Sequence, residues 1–495
     1  MSAEVIARVQ EALSRHRTVP RRLCADSRRV APGDVFFALP GERTDGTRFI
    51  ADAIAQGASA VLCEAGAASP DSAVPVIQVS ALRSHAGALA DALLGHPSAH
   101  MHVIGITGTN GKTSVSQWIA QALRTLGREC GVIGTLGNGL PGHLTESANT
   151  TPDAVSVHQT LADLRRAGAH ACAMEVSSIG LHQHRIDAVR IHTAVFTNLT
   201  RDHLDYHPDM HAYADAKAAL FAHPGLQAAV INTDDAFGRT LAQHCAPRLA
   251  VTACALDHAA PAGLTGLRAR NADLSTGVAF DLVQVLDQVS VHVTTGLIGR
   301  FNIQNLMAVV GSLLHAGVAL NEAVHALGGL TPPPGRMQGV GGERSPLVVV
   351  DYAHTPDALE QALLALQPMS AARGGKLICV FGCGGERDTG KRPLMGAVAC
   401  ELAQQVWITS DNPRSEDPEA ILDDILRGVS ASCRVQRVTE RGEAIRHAVA
   451  GASERDVVLL AGKGHETWQE REGRRMPWSD LDQARTALAA WGNAA

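Results

Sequence analysis

The chain has 495 residues, 45% of them hydrophobic and 19% charged, which describes a globular protein rather than a disordered one. It is too long for one core, and about three domains are expected. Its 43 basic and 49 acidic residues leave a net charge of −6, with no basic stripe to attract nucleic acid. No apolar run reaches the roughly 18 residues a membrane span needs. Ten cysteines form no C-x-x-C pair, and no signal-peptide pattern opens the chain; reduced thiols in a cytoplasmic protein are expected.

The first block, residues 1–97, opens with an amphipathic helix of mixed charge over Met1–Arg17. Short β-prone runs follow at Asp34–Ala38, Ala60–Cys63 and Pro75–Val79, then an Ala-rich helix before His96. The second block, residues 98–334, carries further β-prone runs at Met101–Ile106, Ala171–Val176, Thr193–Leu199 and Ala228–Asn232, with helical patterns between. Such alternation predicts a parallel, doubly wound sheet. Leu264–Leu297 reads as antiparallel β, and a helix is predicted from about Asn302. Pro332-Pro333-Pro334-Gly335 breaks the chain. The third block, residues 335–495, returns to α/β alternation, with strands predicted at Leu347–Tyr352, Lys376–Phe381, Gln405–Thr409 and Asp456–Leu460. The fold class is therefore α/β throughout.

The most informative stretch is the turn after Ile106. It reads Thr107-Gly108-Thr109-Asn110-Gly111-Lys112-Thr113-Ser114 and leads into an apolar-periodic segment through Val115, Ile119, Leu123 and Leu126. Strand, Gly-rich loop and helix in that order aim backbone N–H groups at one spot, at the positive end of a helix dipole. Phosphate suits that spot. Lys112 would reach the outer phosphates and Thr113 would sit on Mg²⁺. The general P-loop pattern has a glycine five positions before Gly111, where this chain has Ile106; Gly105 and Gly108 flank it.

Other predicted strand ends carry polar clusters. Asn149-Thr150-Thr151-Pro152 comes first, then Glu175-Val-Ser177-Ser178 running into Gln183-His184-Arg185. Asn198-Leu-Thr-Arg-Asp-His203-Leu-Asp205 and Ala216-Lys217 follow. Glu175 at a strand's carboxyl end suits Mg²⁺, or else an N-cap or ion pair. Taken alone, His203 reads as a turn histidine and Lys217 as a solvated helix residue. His182 and His184 have H-x-H metal spacing, but no third ligand accompanies them, and a structural role is the simpler reading.

Taken together, these motifs resemble the Mur ligases. So do Gly299-Arg-Phe-Asn302-Ile-Gln-Asn305, Gly335-Arg336, Asp351-Tyr-Ala-His354 and, near the N-terminus, Asp26-Ser27-Arg28-Arg-Val-Ala-Pro-Gly33 with Asp45-Gly46. The resemblance runs essentially end to end. It implies a small N-terminal α/β domain for a UDP precursor, a central P-loop ATPase-type domain and a C-terminal Rossmann-like domain for an amino acid. It also implies an ATP-dependent amide ligase. ATP would phosphorylate the D-glutamate carboxylate of UDP-N-acetylmuramoyl-L-alanyl-D-glutamate, and an amino group would then displace the phosphate. Asp411-Asn412-Pro413-Arg414 is similar to the form that adds meso-diaminopimelate; the lysine-adding form differs there.

By the same matching, the catalytic residues would be Lys112, His203 and Lys217, the last carried in the family as a carbamate formed with CO₂. Mg²⁺ would be served by Thr113, Glu175, His203 and the Lys217 carbamate. ATP would meet residues Gly108 to Ser114, with Asn302 near adenine and Arg336, Asp351 and His354 around the ribose and γ-phosphate. Ser27, Arg28 and Gly46 would face the uridine diphosphate, and Thr150, Thr151, Ser177, Gln183 and Arg185 the muramoyl-peptide arm. Diaminopimelate would meet Arg387, Asp411, Asn412, Arg414, Gly462 and Glu466. Gln338 departs from the family, which often has Glu there. A monomer acting without nucleic acid or membrane is expected. The competing readings are a folylpolyglutamate synthase, a P-loop kinase or nucleotide switch, and a non-catalytic nucleotide-sugar binding module. The first would lack Asp-Asn-Pro-Arg, and the lysines Lys112 and Lys217 argue against the last.

Overall fold

The computed structural model describes residues 2–40, 45–67, 72–204, 206–258 and 263–491. The chain divides into two compact units, Met1–Gly266 with Ala308–Ala323, and Leu267–Met307 with Val324–Ala495. Of the residues in the motifs above, Asp205 lies outside the described ones.

The first unit holds two sheets. The N-terminal sheet has four parallel strands in sequence order, Leu23–Cys24, Val35–Ala38, Ala60–Glu64 and Val76–Val79. Side chains alternate across a strand, so successive residues join different cores. Val35, Phe37 and Leu62 pack with Leu82, Leu89 and Val9 of the helices Leu82–Leu93 and Ser2–Arg15; Phe36, Val61 and Cys63 pack with Ile50 and Ala53. The larger sheet runs Ala250–Ala255, Ala228–Asn232, Thr193–Phe196, His102–Thr107, Ala171–Glu175, Cys130–Gly134, all parallel. An antiparallel hairpin, Gly137–Leu140 and His143–Thr145, extends it. Register places Ile106 opposite both Val195 and Glu175. The carboxyl ends of three neighbouring strands therefore lie level, which is where open parallel sheets hold ligands.

The second unit contains an antiparallel meander. Thr265–Asp273 opens at the unit boundary, with a bulge between Arg270 and Asp273, followed by Val278–Gln284 and Val289–Thr295. Its main sheet runs Gln338–Gly341, Leu347–Asp351, Val457–Ala461, Leu377–Phe381, Gln405–Ile408, Val435–Arg437; the first strand is antiparallel and the rest are parallel. Apolar cores fill both faces. One holds Leu363, Leu366, Phe381, Met395 and Ile425, the other Val350, Val380, Ile445, Val458 and Ala484. Strands buried on both faces explain why the predicted runs read as continuous hydrophobic stretches.

The expectation of reduced thiols is corrected at one pair. Cys400 and Cys433 form a disulfide across 33 residues of sequence, with Cα atoms 5.5 Å apart. The last turn of the helix Lys391–Leu402 and the stretch leading into Val435–Arg437 bring them together, and no local spacing announces that. The other eight cysteines are free and buried.

Candidate active site

The turn after His102–Thr107 is shaped by two glycines. Gly108 has φ +146° and Gly111 φ +87°, and a Cβ on Gly108 would lie 1.9 Å from Thr197 Oγ1. No other residue fits there. Ile106, standing where the general pattern has glycine, is fully buried inside the strand, so the loop itself begins at Gly108. Thr109 N donates to Asn198 O at 2.8 Å and Asn110 N to Asn198 Oδ1 at 2.9 Å. The loop is thus braced by the end of the neighbouring strand. The helix Lys112–Thr125 starts at once, burying Val115, Trp118, Ile119, Ala122 and Leu123 and pointing its N-terminus at the loop. Lys112 Nζ folds back over the loop, donating to Gly108 O at 2.8 Å and Thr109 O at 2.7 Å.

The Glu175 side chain is fully buried at the end of its strand. Thr113 Oγ1 donates to its Oε2 at 3.0 Å, as does Thr135 Oγ1 at 3.1 Å, and Thr135 N donates to Oε1 at 2.9 Å. A Cβ on Gly134 would sit 2.2 Å from Oε1, so glycine is what lets the carboxylate lie there. Glu175 is no N-cap; Ser177 caps the next helix through Gly180 N. Among the described residues no lysine, arginine or histidine forms an ion pair with Glu175.

Lys217, predicted by local sequence to be solvated, is instead buried. Its Nζ lies 4.2 Å from the centre of the Tyr213 ring. Burial first, then the charge of Lys112, pushes its ammonium well below the ordinary lysine range, while Asp202 pulls the other way. Tyr213 OH meets Thr109 Oγ1 at 3.2 Å, linking this helix to the P-loop. His203, at φ +55°, stacks edge-on to Tyr213 with centroids 6.0 Å apart, and its Nε2 is 3.5 Å from Asp202 Oδ2.

The residues expected around the peptide arm meet one another and the carboxylate strand. Thr151 Oγ1 donates to Glu175 O at 2.9 Å and to Ser177 Oγ at 3.1 Å. Thr150 Oγ1 is 3.0 Å from Thr135 Oγ1. Arg185 Nη1 donates to Thr151 O at 2.6 Å, and its Nη2 to Gln183 Oε1 at 2.6 Å. His182 bonds the Tyr206 hydroxyl at 2.8 Å, a structural use of the H-x-H pair. Among the described residues no group of three or more His, Cys, Asp or Glu could hold a metal. Ser27, Arg28 and Gly46 stand apart, in the short 3-10 turns Ser27–Arg29 and Gly46–Phe49 that follow strands of the N-terminal sheet. Arg28 is 86% exposed in its side chain and pairs with Asp26 at 2.9 Å. A cavity of about 430 Å³ beside them is lined by Ala25, Asp26, Arg29, His143 and Gln159, among others, but not by those three.

In the second unit, Asn302 is buried, with Nδ2 donating to Ile298 O at 2.7 Å and Oδ1 accepting from Asn305 at 2.8 Å. Asp351 Oδ2 accepts from Met337 N at 2.8 Å; burial raises its carboxyl while Arg336 opposes the rise. The Arg336 guanidinium lies 4.8 Å over the Tyr352 ring, and Tyr352 packs against His354. Gln338 Oε1 accepts from Gly335 N at 3.0 Å, so the departure at that position is used to hold a turn.

The residues expected to meet the acceptor lie beyond the carboxyl ends of Leu377–Phe381, Gln405–Ile408 and Val457–Ala461. A Cβ on Gly462 would sit 2.6 Å from Asp411 Oδ2, and one on Gly384 would be 3.1 Å from Arg414 Nη1 and 3.8 Å from Arg387 Cγ. Arg414, at φ +54°, donates to Gly385 O and does not pair with Glu416, which is taken by the buried Arg392 at 2.8 Å. Asn412 Nδ2 donates to Glu466 Oε2 at 2.8 Å. Sequence reading missed Thr135, Tyr213 and Lys463. Thr135 and Lys463 each sit between glycines at a strand end, which was a usable signal; Tyr213 stands in an ordinary helical pattern.

A P-loop at the carboxyl end of an inner strand of a parallel sheet, with a buried carboxylate and a buried lysine beside it, defines a nucleotide-dependent phosphoryl-transfer protein. The comparisons make this narrower. Family models described as "Mur ligase family, catalytic domain", "Mur ligase middle domain" and "Mur ligase, glutamate ligase domain" match residues 21–94, 106–313 and 335–464. A relative from Pseudomonas aeruginosa named UDP-N-acetylmuramoyl-L-alanyl-D-glutamate--2,6-diaminopimelate ligase is 52% identical, over 95% of each chain. One of the same name from Chromobacterium violaceum is 51% identical over 95% of each. A solved structure titled as that ligase matches 96% of this chain and 95% of its own, at 36% identity and TM-score 0.68. The chain belongs to the Mur ligase family.

Proposed function

We propose that this chain is an ATP-dependent amide ligase that adds meso-diaminopimelate to the D-glutamate of UDP-N-acetylmuramoyl-L-alanyl-D-glutamate, in peptidoglycan precursor synthesis. The observation that carries it is one hydrogen-bonded run: Thr113 to the Glu175 carboxylate, Glu175 O to Thr151, and Thr151 O to Arg185. The phosphate cradle and a set of donors suited to an anionic peptide arm are thereby built on the same strand end.

A free carboxylate is a poor acyl donor, and phosphorylation gives it a leaving group. The γ-phosphoryl of ATP passes to the glutamate carboxylate, releasing ADP. The diaminopimelate amine then attacks the carbonyl carbon, inorganic phosphate leaves, and a proton passes to solvent. Catalysis here is positioning and charge neutralisation. Lys112 leaves the loop carbonyls for the phosphates, and Arg185 with Gln183 orients the arm. Asn302, Arg336, Asp351 and His354 serve the rest of the nucleotide.

Thr113 and Glu175 fit Mg²⁺, since a buried carboxylate and an adjoining hydroxyl, with no cation among the described residues paired to the carboxylate, suit an ion that takes its other ligands from phosphates and water. When bound, Mg²⁺ neutralises the phosphate charge. Lys217 fits the carbamate expected of it, because burial favours the neutral amine that captures CO₂; His203 would share that edge of the site. Arg387, Asp411, Asn412, Arg414, Gly462 and Glu466 would receive diaminopimelate, and Ser27, Arg28 and Gly46 the uridine diphosphate. Domain limits at residues 97 and 334, a monomeric state and a cytoplasmic location complete the reading; among the described residues no helix is long and apolar enough to cross a membrane.

The test is ADP formation with the nucleotide dipeptide and each of diaminopimelate, lysine and ornithine. Turnover dependent on diaminopimelate is expected. ADP release without any acceptor would point to a kinase or switch, and turnover with lysine alone would overturn the acceptor.

A further inference from the structure

The strand Val457–Ala461 is followed by Gly462-Lys463-Gly464-His465-Glu466, with Gly462 at φ +113° and Gly464 at φ +52°. The Lys463 side chain is fully buried. Its Nζ donates to Glu466 Oε2 at 2.7 Å and to Asn412 Oδ1 at 2.9 Å, while Asn412 Nδ2 donates to the same Glu466 oxygen at 2.8 Å. Three side chains from two strand-end loops thus close a ring. Asn412 Oδ1 also accepts from Glu470 N at 2.9 Å, which fixes the orientation of the amide. Glu466 Oε1 takes no hydrogen bond among the described residues, and the Glu466 side chain keeps 19% of its surface exposed.

Burying an ammonium is costly unless its partners repay it, and an apolar residue of similar volume often stabilises as well or better. The hydrogen bonds of the Lys463 head group go to two residues assigned above to the acceptor, and its Nζ lies 5.7 Å from the centre of the Trp468 ring. We propose that Lys463 is a positioning residue for the acceptor amino acid. By holding Glu466 Oε2 and Asn412 Oδ1, it turns Glu466 Oε1 outward as the acceptor for the ammonium of the incoming amino acid. The proposal rests on the reading that Asn412 and Glu466 face diaminopimelate. Lys463 itself touches no substrate.

The experiment compares wild type, Lys463→Met, Glu466→Gln and the double variant, each checked for folding by circular dichroism and thermal melting. The KM for diaminopimelate should rise at least about thirtyfold in Lys463→Met, while the KM for ATP and for the nucleotide dipeptide stays within about twofold. Because Lys463 acts through Glu466, the double variant should be no more than about threefold worse than the worse single variant. An unchanged diaminopimelate KM in folded Lys463→Met, or effects that multiply in the double variant, would overturn the proposal. If Lys463→Met does not fold, Lys463→Gln is read by the same criteria. A wild-type enzyme with no diaminopimelate-dependent ADP formation would instead remove the acceptor assignment, whatever the variants do.

Discussion

Thr113 Oγ1 donates to Glu175 Oε2 at 3.0 Å, joining the first turn of the P-loop helix to the end of the adjacent strand. Sixty-two residues apart in sequence, the two groups are the ones proposed above to hold a divalent cation. Glu175→Gln keeps one oxygen, to accept from Thr135 N, sets an amide NH₂ against the Thr113 and Thr135 hydroxyls, and loses the charge. It should fold, and its apparent affinity for Mg²⁺ should fall by about 10–100-fold. Phosphate release measured across a magnesium titration checks this; an unshifted titration removes Glu175 from the site.

Lys112→Ala should abolish ATP turnover while the melting temperature stays close to wild type. In the structure it donates to carbonyls of the loop itself, Gly108 and Thr109. Normal turnover by the folded variant would sink the P-loop assignment.

Lys217 offers a pH test. Its folded pKa is depressed, so below the unfolded value near 10.4 the unfolded chain binds more protons than the native one. The stability of the native state must then rise with pH through the window between the folded pKa and about 10.4. In CO₂-free buffer, wild type should gain stability from pH 7 to pH 9.5 relative to Lys217→Met, read by chemical denaturation at each pH. Parallel curves for the two proteins would contradict the depressed amine. Lys217→Ala should be nearly inactive, and full wild-type activity in CO₂-depleted buffer would count against the carbamate.

Arg414→Ala should weaken diaminopimelate use by at least about thirtyfold, since losing one partner of a desolvated charge pair costs about 2–5 kcal/mol. Diaminopimelate differs from lysine by a distal carboxylate, which a forked guanidinium matches. Poor use of lysine should not worsen in proportion. Steady-state kinetics with both acceptors decides it.

The buried pair Arg441 and Asp480, with Nη2 and Oδ2 2.6 Å apart and both side chains fully buried, holds Ala461 O at 3.0 Å. Asp480→Ala leaves a buried guanidinium uncompensated and should destabilise the second unit by about 3–5 kcal/mol. Urea denaturation measures this; a loss under 1 kcal/mol would show that water reaches the site.

Much of this protein is determined by local sequence. The parallel strands were legible because both faces are buried, which leaves runs such as Leu377–Phe381 apolar throughout. The P-loop was legible because phosphate binding is done by backbone, and backbone geometry is written in glycine positions. Family motifs supplied the roles proposed for Lys217, which residue chemistry alone read as solvated, and for Arg414, which it left open.

Tertiary structure decided what depends on distance between strand ends. Lys217 looked solvated because its helix has polar neighbours; packing against Tyr213 buries it. Thr135 and Lys463 matter only because separate loops converge, at Glu175 and at Asn412 with Glu466. The Cys400–Cys433 bridge likewise follows from a helix end meeting a strand start. Sequence specifies local conformation through short-range sterics and patterning, whereas a buried charge acquires its partner, and hence its chemistry, only when the chain closes around it.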